Sequence, residues 1–207
     1  MHHIPRTLLL FSLVFTLIML SALSGGPPVQ TTGAPQIGSM AEEATCAKAG
    51  CHVGSPVNSE GKLEILGLPA TYVPGMEYPL IIRLTSNPSA TTPRWGFELT
   101  NARLSDGIGS GTLIGAGLNL NLVNQRTYIS QNVSHLYMGQ LDSVEWQVTW
   151  TAPDPPEGLI GFYAAGTASN GNFSAQGDLT YTIAETTQNG LVPVRRVTWG
   201  QLKSQVH

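Results

Sequence analysis

The sequence of 207 residues predicts an all-β chain folded as an antiparallel β-sandwich. Three observations carry that expectation. Apolar residues recur at a period of two, clusters of Gly, Pro, Asn and Asp separate the runs, and no helix-length amphipathic stretch lies between them. The composition agrees, with 23 Gly, 14 Pro and only 11% charged residues, against roughly 25% charged in an ordinary soluble domain. At 42% the hydrophobic share is enough for one sizeable core and too high for a disordered chain. Ten Lys and Arg against 13 Asp and Glu leave a net charge of −3, without basic runs. That excludes nucleic acid as a partner, because phosphate contacts need clustered cations.

Taken in order, the chain opens with an address. One arginine, Arg6, precedes an apolar run at 8–20 (LLLFSLVFTLIML), and small residues follow to Ser24. This is the layout of a secretory signal peptide at 1–24. The run is shorter than the roughly 20 residues of a bilayer span, and no Cys follows it to carry a lipid. The expectation is an exported protein of the periplasm or cell surface, with no membrane span after cleavage. Residues 25–61 form an extended Gly/Pro/Thr leader and a cysteine-bearing segment, with a turn or two of helix over 40–49. The sandwich occupies 62–187. Its clearest strands alternate Tyr78, Leu80, Ile82 and Leu84, then Val144, Trp146, Val148 and Trp150. Further strands are expected at 95–99, 112–114, 127–130, 159–165 and 179–184. The tail, 188–207, adds a strand or a short terminal helix.

Chemistry concentrates in one place. The only cysteines are Cys46 and Cys51, and His52 follows the second directly (CAKAGCH). In an exported chain three readings compete. Two thiols can add to the vinyl groups of a porphyrin, with the adjacent imidazole bound to iron as proximal ligand. The pair can instead close a small disulfide loop. Zinc would want four ligands, and the chain has few to offer. The neighbouring histidine favours haem, since a disulfide has no use for it, although four residues rather than the usual two separate the cysteines. A sixth iron ligand would come from His135, Met138 or His207, with Met40 and Met76 completing the inventory of the mature chain. A pair of histidines gives a lower reduction potential than His with Met. Asp142, Glu145, Asp154 and Asp178 read as scattered, solvated loop acids, and 107–111 (GIGSG) as a loop rather than a nucleotide site. No catalytic residues are assigned.

Several short motifs in a shared order resemble the exported bacterial choice-of-anchor V domains, which are similar to the immunoglobulin-like Reeler sandwich. They are Thr32-Gly-Ala-Pro35, the Cys/Cys-His site, residues 68–75 (LPATYVPG), 96–100 (GFELT), His135, 146–153 (WQVTWTAP), 162–170 (FYAAGTASN) and Gly177-Asp178. The resemblance runs from about Thr32 to Glu185. It implies an immunoglobulin/Reeler-like sandwich preceded by one haem motif, with Cys46 and Cys51 as thioethers, His52 as proximal ligand and His135 as distal ligand, Met138 being the alternative. With both axial positions filled, the expected role of the single covalent haem c is electron transfer rather than catalysis. One haem then needs a redox partner protein or self-association. The competing expectation is a structural or adhesion module of the cell envelope, stabilised by a Cys46–Cys51 disulfide and without haem.

Overall fold

The computed structural model describes residues 25–190 apart from 49, 89 and 91. The expected signal peptide, the tail beyond 190 and His207 lie outside the described residues. The described residues form a two-sheet β-sandwich of ten strands: β1 (Gly61–Leu66), β2 (Thr71–Tyr72), β3 (Glu77–Ser86), β4 (Arg94–Arg103), β5 (Thr112–Ile114), β6 (Asn119–Val123), β7 (Arg126–Ser130), β8 (Ser143–Thr151), β9 (Ile160–Ser169) and β10 (Leu179–Asn189). A single 3-10 turn, Val133–His135, interrupts the connection between β7 and β8. One sheet has the order β1-β3-β8-β5 and the other β2-β10-β9-β4-β7-β6. Every pairing is antiparallel except that of β2 with the end of β10. No helix among the described residues is long and apolar enough to cross a membrane.

The alternating patterns of β3 and β8 fall where a sheet with one wet face requires them. Leu80, Ile82 and Leu84 lie opposite Val148, Trp146 and Val144, and all six side chains are buried in the core between the sheets. Phe97 stacks on Trp146 with ring centroids 4.5 Å apart, and Phe162 meets Trp150 edge-on at 5.0 Å. These aromatic pairs tie the two sheets together.

β4 and β9 break the alternation, because they are buried on both faces. Trp95, Phe97 and Leu99 point into the core. Between them Gly96, Glu98 and Thr100 point outward and are buried as well. The Gln131 side chain lies against Gly96, and the leader, folded across the outer face of the six-stranded sheet, covers Glu98 through Thr31. Ala34 and Ile37 of the leader pack there with Ala102 and Tyr163 as a small second core.

The helix expected over 40–49 does not form. Gly33 N donates to Ala44 O and Glu43 N to Ala34 O, and Ile37 and Met40 bridge each other. The segment is therefore a narrow hairpin, whose extended backbone carries Glu43 down to Arg126 on the sheet. A helical turn could not make that reach while satisfying the leader's own amides. β1, β2 and β6 escape the sequence reading, the first having only Leu63 and Ile65 buried, the second being two residues long and the third having neither face buried.

Candidate functional site

The site is assembled by the leader, the cysteine loop and the β9–β10 connection. Two carboxylates under the leader hold it down. Glu98 Oε2 accepts from Thr31 N at 2.6 Å and from Thr31 Oγ1 at 3.1 Å. Glu43 accepts from Arg126 Nη1 at 2.8 Å, from Tyr128 Oη at 2.5 Å and from Thr32 Oγ1 at 2.6 Å. Glu43 thus has a cation, whereas Glu98 is bonded only to neutral donors. Burial accordingly pushes the Glu98 carboxyl up to about 7, with the Glu43 charge adding to the effect and the Thr31 bonds opposing it.

The hairpin delivers the chain to Thr45, where a tight loop begins. Lys48 N donates to Thr45 O, Cys51 N to Lys48 O and His52 N to Cys46 O. Cys46, Cys51 and His52 are therefore gathered on one turn. Both cysteines are free thiols, Cys46 buried and Cys51 partly so. Burial raises the Cys46 thiol to about 12, with Glu98 and Cys51 adding to the rise, so it is neutral at physiological pH.

The next residue fixes the histidine. Val53 N donates to Ala175 O at 2.6 Å and Gly177 N to Val53 O at 2.9 Å, docking the loop onto the β9–β10 connection. This brings His52 Nδ1 to 2.6 Å from Asp178 Oδ2. The other oxygen of Asp178 accepts from Asn170 N at 2.8 Å, and the side chain is almost fully buried. A carboxylate on Nδ1 selects the tautomer in which Nδ1 carries the proton and Nε2 presents a lone pair. Asp178, which the sequence suggests is a solvated loop acid, is therefore the partner that sets the histidine. Nothing in the local sequence marks it.

Cys46, Cys51, His52 and Asp178 all line a cleft of about 620 Å³ with walls more apolar than polar. That size lies within the range of sites that enclose a cofactor or small ligand. Pro27 and Pro28 close one side and Leu136 another. Arg94, at the rim, lies over the Phe173 ring at 4.4 Å and forms no ion pair among the described residues. The donor set fits a haem: two thiols on one turn, an imidazole with Nε2 left free, and an unpaired cation for a carboxylate. Among the described residues, no three His, Cys, Asp or Glu side chains gather so as to hold a bare metal ion.

Among the described residues, none of the expected sixth ligands lines this cleft, and His207 lies outside them. His135 Nδ1 lies 2.8 Å from Asn132 Oδ1, and Trp146 Nε1 donates to the His135 carbonyl. Leu136, rather than His135 or Met138, reaches the cleft wall. Met138 and Met76 are exposed elsewhere. Met40 lines a separate polar hollow with Glu43 and Arg126.

No family model and no curated protein matches the chain. Among solved structures it is similar to the human F-spondin reeler domain, at 17% identity and a TM-score of 0.40, over 67% of this chain and 94% of that one. It is similar to a conjugative transposon lipoprotein from Bacteroides eggerthii at 13% identity and a TM-score of 0.37, over 64% of this chain and 100% of that one. A type I cohesin from Pseudobacteroides cellulosolvens matches at 12% identity and a TM-score of 0.37, over 67% and 98%. At such identities the likeness is one of fold alone.

Proposed function

We propose that this exported β-sandwich protein attaches one haem c in the leader-covered cleft and passes electrons through it. The observation that supports this most is the His52–Asp178 pair at 2.6 Å, on the same cleft as both thiols. A structural disulfide would need neither the free imidazole nitrogen nor the buried carboxylate behind it. Cys46 and Cys51 would hold the group by thioethers, each formed as a thiol S–H adds across a vinyl double bond. His52 Nε2 would bind the iron, and Arg94 would face a propionate. When bound, the haem supplies a one-electron couple. Asp178 keeps the imidazole oriented and electron-rich, which favours the oxidised state. The apolar part of the cleft wall would lower the polarity around the bound group.

The distal bond falls to His135 in this reading, with Met138 as the alternative. Either has to swing toward the cleft, and His135 must first give up its bond to Asn132. Electron exchange with a redox partner protein or a second copy completes the role.

A second reading is a structural or adhesion module without haem, with Cys46 and Cys51 oxidised to a disulfide. The observation that favours it is the loop itself, in which the His52 N–H closes back on the Cys46 carbonyl at 3.2 Å and so brings the cysteine positions near each other.

One preparation separates the two. The chain is expressed with cytochrome-maturation machinery and analysed by alkaline pyridine haemochrome and intact mass. The expected product is coloured and heavier by one haem, and changing both Cys46 and Cys51 to Ser releases the pigment on denaturation. A colourless protein lighter than its reduced chain by two hydrogens establishes the disulfide reading instead.

A further inference from the structure

Among the described residues the sandwich has four strand edges, and three of them are blunted against pairing with another chain. β1 carries Lys62 and Glu64, ion-paired at 2.8 Å. β2 is two residues long and lies between Pro69 and Pro74. β5 is three residues long and lies between Gly111 and Gly115. Charge, proline and shortness are the devices that keep sheet edges from associating. β6 has none of them. It runs for five residues (NLNLV), and the whole stretch 115–125 (GAGLNLNLVNQ) contains neither charge nor proline. Its Leu120 and Leu122 are 54% and 71% exposed.

The register shows what that edge presents. β6 and β7 are joined by a two-residue turn, Asn124 and Gln125, both at positive φ as a type I′ hairpin requires. The closing pair of such a hairpin, Val123 with Arg126, exchanges both hydrogen bonds, and the antiparallel alternation then bonds Asn121 with Tyr128 and Asn119 with Ser130. The amides and carbonyls of Leu120 and Leu122 consequently point away from β7, into the open edge. Leu120 lies opposite Ile129, a core residue, so both leucines belong to the core-bearing face. The facing sheet, two strands narrower, no longer covers them.

We propose that β6 pairs with β6 of a second copy, antiparallel across a two-fold axis at Asn121, joining two six-stranded sheets into one. That axis sets Leu120 opposite Leu122 of the second copy, and vice versa. Both are residues with outward amides, so the two strands exchange four main-chain hydrogen bonds, and the four leucines meet on one face. A two-fold pairing places each strand against its own sequence. A charge at position 121 would meet itself and repel, and the absence of charge throughout the edge is what self-pairing needs. A partner selected by charge would find nothing here to select it.

The test is sedimentation velocity of the chain from Gly25 onward, after removal of the signal peptide, from low to high micromolar concentration. A concentration-dependent dimer is expected. Leu122→Lys should weaken it at least tenfold while leaving unchanged the melting temperature taken at a concentration where the parent is monomeric, since that side chain is in solvent in the single copy. Asn121→Cys should cross-link to the same position of its own copy, read by mass mapping of the joined peptide. Hydrogen exchange at the Leu120 and Leu122 amides should slow as the dimer forms. A monomer throughout the range overturns the proposal, as does a dimer indifferent to Leu122→Lys. A monomer in which those two amides are already protected also overturns it, and assigns the edge to the chain's own residues 191–207.

Discussion

The two faces of the six-stranded sheet are buried by different means. Toward the core, Trp95, Phe97, Leu99 and Phe162 meet other apolar and aromatic side chains. Toward the leader, Glu98, Thr100, Arg126 and Tyr128 are as deeply buried, but they meet polar groups and are held by hydrogen bonds and one ion pair. Apolar burial is indifferent to pH and contributes through area. Buried charges roughly balance desolvation against attraction and lose heavily when one partner goes. The first face is therefore built for stability, and the second for holding a segment in a defined position. The cysteine loop hangs from that second face, so the cleft inherits its sensitivity.

If that contrast holds, the largest single loss comes from the core. Trp150 packs edge-on against Tyr72 and Phe162, stacks on Tyr78, and donates Nε1 to Ser110 O at 3.0 Å. Trp150→Ala should cost about 3–5 kcal/mol, read as a lower urea midpoint for the whole domain. Glu43→Ala should behave differently. It strands Arg126, whose Nη2 has no hydrogen-bond partner among the described residues, as a buried charge without its carboxylate, a local cost of about 3 kcal/mol. The leader can respond by lifting off and admitting water. Protease cuts between Thr32 and Thr45 should then appear while the unfolding midpoint of the sandwich moves little. A matching drop in both readouts would mean that leader and sandwich form one cooperative unit.

The same contrast explains what could be read from the chain in advance. β3 and β8 announce themselves because one face is wet, so Leu84 and Trp146 sit between polar neighbours. β4 and β9 lack that signature over much of their length, because their second face depends on a leader far away in sequence. The cysteines and His52 form a motif that stands out wherever it lies. Asp178, 126 residues further on, joins them only through the docking of Val53, so its burial has no local trace. Glu98 is hidden for the same reason. Of the hairpin at Gly33–Ala44, the first arm reads as extended and only the second, from Met40, looks helical, because nothing local shows that Arg126 waits for Glu43.

Glu98 offers a gentler way to probe the leader. Its carboxyl titrates at about 7 when the leader is docked, against 4.5 for an exposed glutamate. The docked state therefore holds the proton more tightly than the open one. Docking is at full strength below about 4.5, weakens as pH rises toward about 7, and is level above that. The groups that interact with this carboxyl are Glu43, Cys46, the Thr31 donors and the Gln30 backbone amide. Exchange of the Thr31 and Gly33 amides, corrected for intrinsic rates, should speed up between pH 5 and 7. Glu98→Gln should flatten that profile, because the amide oxygen still accepts from Thr31 and never ionises. A slope that persists in the Gln variant would assign the titration to another group.

The smallest structural change, and the most informative about chemistry, is Asp178→Asn. The amide oxygen can still accept from His52 Nδ1 or Asn170 N, so the fold should lose only about 1 kcal/mol. What disappears is the negative charge behind the imidazole, which makes His52 a weaker electron donor at Nε2. In protein matured with haem, content should stay near that of the parent while the reduction potential moves upward. A Cys46–Cys51 disulfide protein would show no such signature, only the slight change in stability. An unchanged potential at full haem content would mean that iron is not bound through His52, and that the 2.6 Å contact serves only to moor the loop to the sheet.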